Sequence, residues 1–169
     1  MRRKLLIFAL LGWLPNQAAL ADPIHAVADA AYWHHESHWV FPDKIRGYSR
    51  VGIPQDVAGS EDAVAHYACV EDGVRNTASV DVYRADSASV AEHEAQPSGK
   101  MSSEGAFAVG AAHALSGTRR IYSTGTSGFL GVYSIVAGEW RVTIRVSGSQ
   151  LEAMDAFVRE QRWESLAAH

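Results

Sequence analysis

The residues best suited to chemistry cluster near the amino terminus. His34, His35, Glu36 and His38 lie within five positions, with His25 upstream. On a helix, His34 and His38 stand at i and i+4 and share a face, as a pair of metal ligands requires. Neutral imidazole suits zinc, copper or nickel. The order HHESH is not HExxH, so the two-histidine-plus-base logic of a metalloprotease is missing. His34, His35 and His38 are therefore the candidate metal ligands. The competing reading is a set of solvated histidines on an amino-terminal segment. Trp33 and Trp39 bracket them and serve either to dock that segment onto the domain or as an exposed partner-binding patch.

Other reactive side chains are better explained by structure. Cys69, the single cysteine, sits in the apolar run AVAHYACV and reads as a small buried hydrophobe with an unreactive thiol. Its partner-less count excludes a disulfide framework within the chain. His66 lies in the same run and reads as a core or edge histidine. His113 ends an alanine-rich stretch, where a cation suits a helix carboxy terminus. No GxSxG occurs, and the glycines near Ser49 and Ser127 have turn spacing instead. Gly125, Gly128 and Gly131 follow a strand-turn-strand context, which is not that of a phosphate-cradling loop. Arg141 and Arg145, with Arg119 and Arg120 on neighbouring strands, are expected to share a sheet face. They form a candidate binding patch for an acidic partner or a carboxylate. No cofactor is implied.

These side chains need a scaffold, and the first 21 residues are not part of it. Met1 to Lys4 is basic, Leu5 to Leu14 is apolar, and Ala19-Leu20-Ala21 is a small-x-small cleavage site. Residues 1–21 read as a signal peptide, cleaved after Ala21, too short in its apolar part for a membrane span. The predicted location is periplasmic or secreted. The whole chain has 169 residues, 47% hydrophobic and 20% charged, with a formal net charge of −4. Cleavage removes three basic residues, leaving twelve against nineteen acidic ones, a net charge of −7. That balance argues against a nucleic-acid footprint. The organisation expected is a His/Trp-containing segment over 22–40 and a single α+β domain over 41–169.

Within that domain, Asp22-Pro23 opens a short helix through the histidine cluster. Gly47 to Ile53 is a first strand. Asp62 to Val70, apolar in both alternating sets, is a strand covered on both faces. Glu71-Asp72-Gly73 turns it into a second strand over Thr77 to Arg84. Ser89 and Glu92 cap a helix that Pro97 stops. Glu104 to Leu115 is alanine-rich and reads as helical, against the cost of Gly105 and Gly110. Arg119 to Ser123, Phe129 to Val136 and Trp140 to Ser147 are strands, the last with clean alternation. Ser149 and Glu152 form a second capping box. The helix of about 15 residues that follows places Leu151, Met154, Phe157 and Val158 on one stripe. The fold class expected is α+β: an antiparallel sheet of about six strands in the order β-β-β-α-β-β-β-α, with the last helix packed on the sheet.

This order resembles the Mog1/PsbP-like α/β/α sandwich. The resemblance is carried by "FPDKIRGYSR", by "AVAHYACV" with "ASVDVYRAD", and by "GVYSIVAGEWRVTIRVSGSQLEAMDAFV". It implies an assembly or binding factor and supplies no active-site residue. The function expected is an exported, non-catalytic binding, assembly or interaction protein of the cell envelope, with an unknown protein or small ligand as partner. The alternative is a periplasmic metal-binding protein or hydrolase built on His34, His35 and His38.

Overall fold

Alternating apolar residues in long stretches, clearest over Ala63–Glu71, Val74–Arg84, Phe129–Ala137 and Trp140–Gly148, make this chain a sheet protein. The computed structural model describes residues 24–26, 31–56, 61–86, 97–111, 114–125 and 128–166. Six short strands come first: β1 (Ile24–Ala26), β2 (Tyr32–His34), β3 (Val40–Phe41), β4 (Lys44–Ile45), β5 (Tyr48–Arg50) and β6 (Gln55–Asp56). Six long ones follow: β7 (Ala63–Glu71), β8 (Val74–Arg84), β9 (Lys100–Val109), β10 (Leu115–Ser123), β11 (Phe129–Ala137) and β12 (Trp140–Gly148). Helix α1 spans Leu151–Arg159, and a 3₁₀ turn at Trp163–Ser165 closes the described chain.

β1, β2 and β3 form a small sheet of their own. The main sheet runs β4-β5-β7-β8-β12-β11-β10-β9, with β6 also paired to β7. Every pairing is antiparallel. β7 and β8 are joined by the tight turn at Asp72 and Gly73, both at positive φ. β9 to β12 form a meander that returns beside β8.

The expected fold class is overturned in two respects. Eight strands stand in the main path rather than about six. The β-β-β-α-β-β-β-α order also fails, because eight described strands, not three, precede residue 87. The Glu104–Leu115 stretch, read as helical, is mostly β9 and its turn. Alanine favours a helix only weakly, and pairing from Leu115↔Val109 to Ser123↔Lys100 along β10 outweighs that preference. The amino-terminal helix is also replaced by strands, at β2. The helix read after Ser89, the signal peptide and His113 lie outside the described residues.

One face of the main sheet carries the core. The register places Ala65, Val80, Ile144 and Tyr133 in one cross-strand row, and Ala63, Val82, Val142 and Ile135 in the next. α1 lies against β11 and β12. Met154, Phe157 and Val158 are buried, whereas Leu151, expected on the same stripe, is exposed. The helix has nine residues, not about 15, and its N-cap is Gln150 with no side-chain cap, so the Ser149–Glu152 capping box does not form. Phe157 packs between the rings of Tyr48 and Tyr67, with centroids 4.7 and 5.6 Å away. Asp155 ties the helix to the sheet: it accepts from Arg119 at 2.6 Å and from the Tyr133 hydroxyl at 2.7 Å. Burial, reinforced by the bond to Asp155, drives the Tyr133 phenol far above its ordinary range, so it stays protonated as the donor.

β7 is covered on one face only. His66 and Val70 point to the other side and are exposed, Val70 at 74%. Conversely, the face of β12 expected to be wet is partly closed, with Thr143 fully buried. Phe157→Ala should cost about 3–5 kcal/mol, since it empties the space between two tyrosine rings. Tyr133→Phe removes one of two bonds to Asp155 and should cost about 1–1.5 kcal/mol. Thermal or urea unfolding of the two variants checks both; an unchanged midpoint for Phe157→Ala would mean that the helix is not a core element.

Candidate functional site

The histidine cluster is not assembled as a metal centre. His34 ends β2, residues 35–37 turn, and His38 takes a positive φ of 57°. The i, i+4 helical pairing therefore does not exist. His34 is fully buried, with its ring edge-on to Trp140 at 5.8 Å. Its Nδ1 lies 2.7 Å from the Ser37 hydroxyl and accepts from the Ser37 backbone N–H at 3.4 Å. His35 and His38 instead lie against the ring of Trp33, each 5.4 Å away. Among the described residues, no three His, Cys, Asp or Glu side chains come together in a way that holds a metal ion. Trp39 is also not a surface patch. It is fully buried, edge-on to Trp163 at 5.1 Å. Trp33 is half-buried. Trp39 packs the segment against the main body, whereas Trp33 packs on His35 and His38 of its own segment.

The arginines divide between two faces. Arg119 points into the core side and holds Asp155, while Arg120, Arg141 and Arg145 point to the other side, as strand alternation requires. Arg145 is paired with the buried Asp81, and Arg120 with Glu104 at 2.8 Å. Next to them the Tyr83 hydroxyl and Thr143 Oγ1 lie 2.9 Å apart, fully buried. Three of the four arginines expected on one face, Arg119, Arg120 and Arg145, are thus paired with carboxylates, and Arg119 stands on the opposite face from the others.

Two adjoining depressions lie at the end of the sheet around the β7–β8 turn. A depression of about 510 Å³ lies between that turn, the end of β12 and the β10–β11 connection; Asp72, Arg75, Thr124 and Phe129 line it. A second, of about 300 Å³, opens between β7, the β4–β5 turn and the start of α1; Arg46, Tyr48, Cys69 and Ala153 line it. Glu71, Asn76, Gly148 and Ser149 border both. A third, of about 310 Å³, lies on the opposite sheet face, with His66, Thr77 and Arg145, and shares Arg75 with the first.

Local sequence explains this opening. Core-facing positions along β7 read Ala63, Ala65, Tyr67, Cys69 and Glu71; along β8 they read Val82, Val80, Ala78, Asn76 and Val74. Apolar side chains give way at the Cys69–Asn76 pair to a thiol, an amide and a carboxylate. Asn76 is buried and donates to Glu71 at 3.5 Å. The Tyr48 hydroxyl donates to the Ser147 carbonyl at 3.1 Å and is also hydrogen-bonded to Cys69. Burial first, then the neighbouring Cys69 and Glu71, raises the Tyr48 phenol well above its usual range, so it is protonated at neutral pH. Cys69 is half-buried at this opening, not sealed in the core. The sequence reading missed Tyr48, Glu71 and Asn76. The one available signal was a polar amide in the apolar-alternating positions of β8.

The arrangement offers hydrogen-bonding groups of both kinds beside charges of both signs. Cys69 and His66 stand on opposite faces of β7, three positions apart, so this strand does not couple thiol to imidazole. No family model, curated protein or solved structure matches this chain.

The partial exposure of Cys69 gives a direct check. The native protein should take up one equivalent of a small thiol reagent per chain, more slowly than the unfolded chain. A thiol that reacts only in denaturant would place Cys69 in a closed core.

Proposed function

We propose that this chain is an exported, non-catalytic binding protein of the cell envelope, which takes a small polar ligand at the open end of its sheet. The signal-peptide pattern of residues 1–21 supports export. Among the described residues, no helix is long and apolar enough to cross a membrane. The observation that carries the binding reading is Asn76. An amide sits buried where its neighbours along β8 are Ala78, Val80 and Val82, at the ridge shared by two adjoining depressions. Burying an amide costs stability unless its bonds are well made, and a 3.5 Å contact to Glu71 is a poor one. A ligand with donors and acceptors compensates that cost, and Glu71, Arg75 and Ser149 then orient it.

Native mass spectrometry of the chain recovered from the envelope fraction tests both halves. The expected protein mass begins at Asp22, with a non-covalent small-molecule adduct. Asn76→Leu matches the apolar side chains beside it along β8, so the variant should fold at least as stably and lose the adduct. An uncleaved chain left in the cytoplasm would sink export, and equal adduct occupancy in both proteins would sink the site.

A further inference from the structure

We propose that the β2–β3 hairpin is an acid-released clasp, in which a proton taken up by the buried His34 unseats the hairpin from the main sheet while the rest of the fold persists. The hairpin belongs to a separate small sheet, joined to the main body by side chains rather than by a shared strand ladder. Its seat is made by three fully buried rings: His34 on Trp140, Trp39 on Trp163, and Phe41 beside Trp39.

The surroundings of His34 suit a neutral ring, because only one of its two nitrogens has a hydrogen-bond partner. Nδ1 lies 2.7 Å from the Ser37 hydroxyl, which gives or takes the proton of that bond according to the tautomer, while Nε2 has no hydrogen-bond partner. A second proton makes both ring nitrogens donors: Nδ1–H turns to the Ser37 hydroxyl, but the Nε2–H of the buried cation has no acceptor. It also holds the Ser37 hydroxyl as an acceptor toward Nδ1, and this is the hydroxyl that accepts from the Trp39 backbone N–H at 3.2 Å. One proton thus strikes both the turn and the placement of Trp39.

The charges around His34 are mixed. Glu36 on its own hairpin and Asp62, just before β7, favour a charged ring, while His35 and His38, when charged, oppose it. On the main sheet, Arg84 lies over the Trp140 ring at 5.7 Å. Burial is the largest influence and lowers the imidazole to about 4. The ordinary value for a released hairpin is about 6.5. The seated form therefore binds fewer protons between these values. Seating is complete above about pH 6.5 and weakens as pH falls toward 4.

Amide hydrogen exchange, corrected for intrinsic rates, reads this locally. The His34 amide donates to the Trp39 carbonyl at 2.8 Å and reports on the hairpin. Its opening should rise about 40-fold between pH 6.5 and 4.5, with β11 and β12 amides unchanged. His34→Gln should abolish the rise, and the double variant His35→Gln/His38→Gln should keep it. A parallel rise in every amide would mean global acid unfolding and overturn the clasp. So would a rise that survives His34→Gln or disappears in the double variant. Should His34→Gln not fold, the His34 ring titration followed by NMR in the unmodified chain decides. Coincidence with hairpin opening supports the clasp, and a ring that titrates near pH 6.5 with the hairpin still protected overturns it.

Discussion

A nine-residue helix cannot cover a sheet eight strands wide, and most of this structure follows from that shortfall. α1 spans about 13 Å at 1.5 Å per residue, enough to lie across two or three strands. It is also too short to persist alone, so Phe157 and the Asp155 contacts must hold it in place. The remaining apolar face needs other cover. The amino-terminal strands supply Trp39, Phe41, Ile45 and Tyr48, and the carboxy-terminal turn supplies Trp163 and Leu166. The end of β7 and β8 is left open, and there polar groups, Asn76 and Glu71, enter the core-facing positions.

That sharing of cover explains where polar groups were admitted. Asp155 is acceptable near the core because Arg119 and Tyr133 satisfy it. His34 is acceptable because it is neutral and one of its nitrogens is met by Ser37. Close approach is handled in the same way at Gly117: a Cβ there would meet the Ser134 carbonyl oxygen at 1.9 Å, so β10 and β11 fit together only with glycine at that position.

The sequence was most legible where one face is buried and the pattern is long. Trp140, Val142, Ile144 and Val146 alternate without interruption, and β12 lies where that pattern puts it. The core stripe of α1 was legible for Met154, Phe157 and Val158; its length and cap were not, because Gln150 and Leu151 are decided by the turn out of β12. β9 was misread because its composition, KMSSEGAFAV, lacks apolar alternation until Phe107 and Val109, and only its pairing with β10 makes it a strand. The histidine cluster misled for a related reason. Spacing along a helix says nothing once the segment is a hairpin, where His34 turns inward and His35 and His38 turn to Trp33. The open end was illegible because Tyr48, Glu71, Asn76 and Ser149 meet only through strand register and a helix start far apart in sequence.

The same β9 that escaped the sequence reading stands last in the main sheet, with Lys100 to Ala106 exposed. A strand this long at a border is a template onto which foreign chains can crystallise in solution, and folds that carry one need a deterrent. Here the deterrents are local. The register slips opposite Ile121 and Tyr122, where the Ser102 hydroxyl takes the Ile121 carbonyl at 3.0 Å. Lys100 and Glu104 flank the irregularity with charges of opposite sign. Because the strand's outward row changes faces at that slip, no straight partner can follow it from end to end.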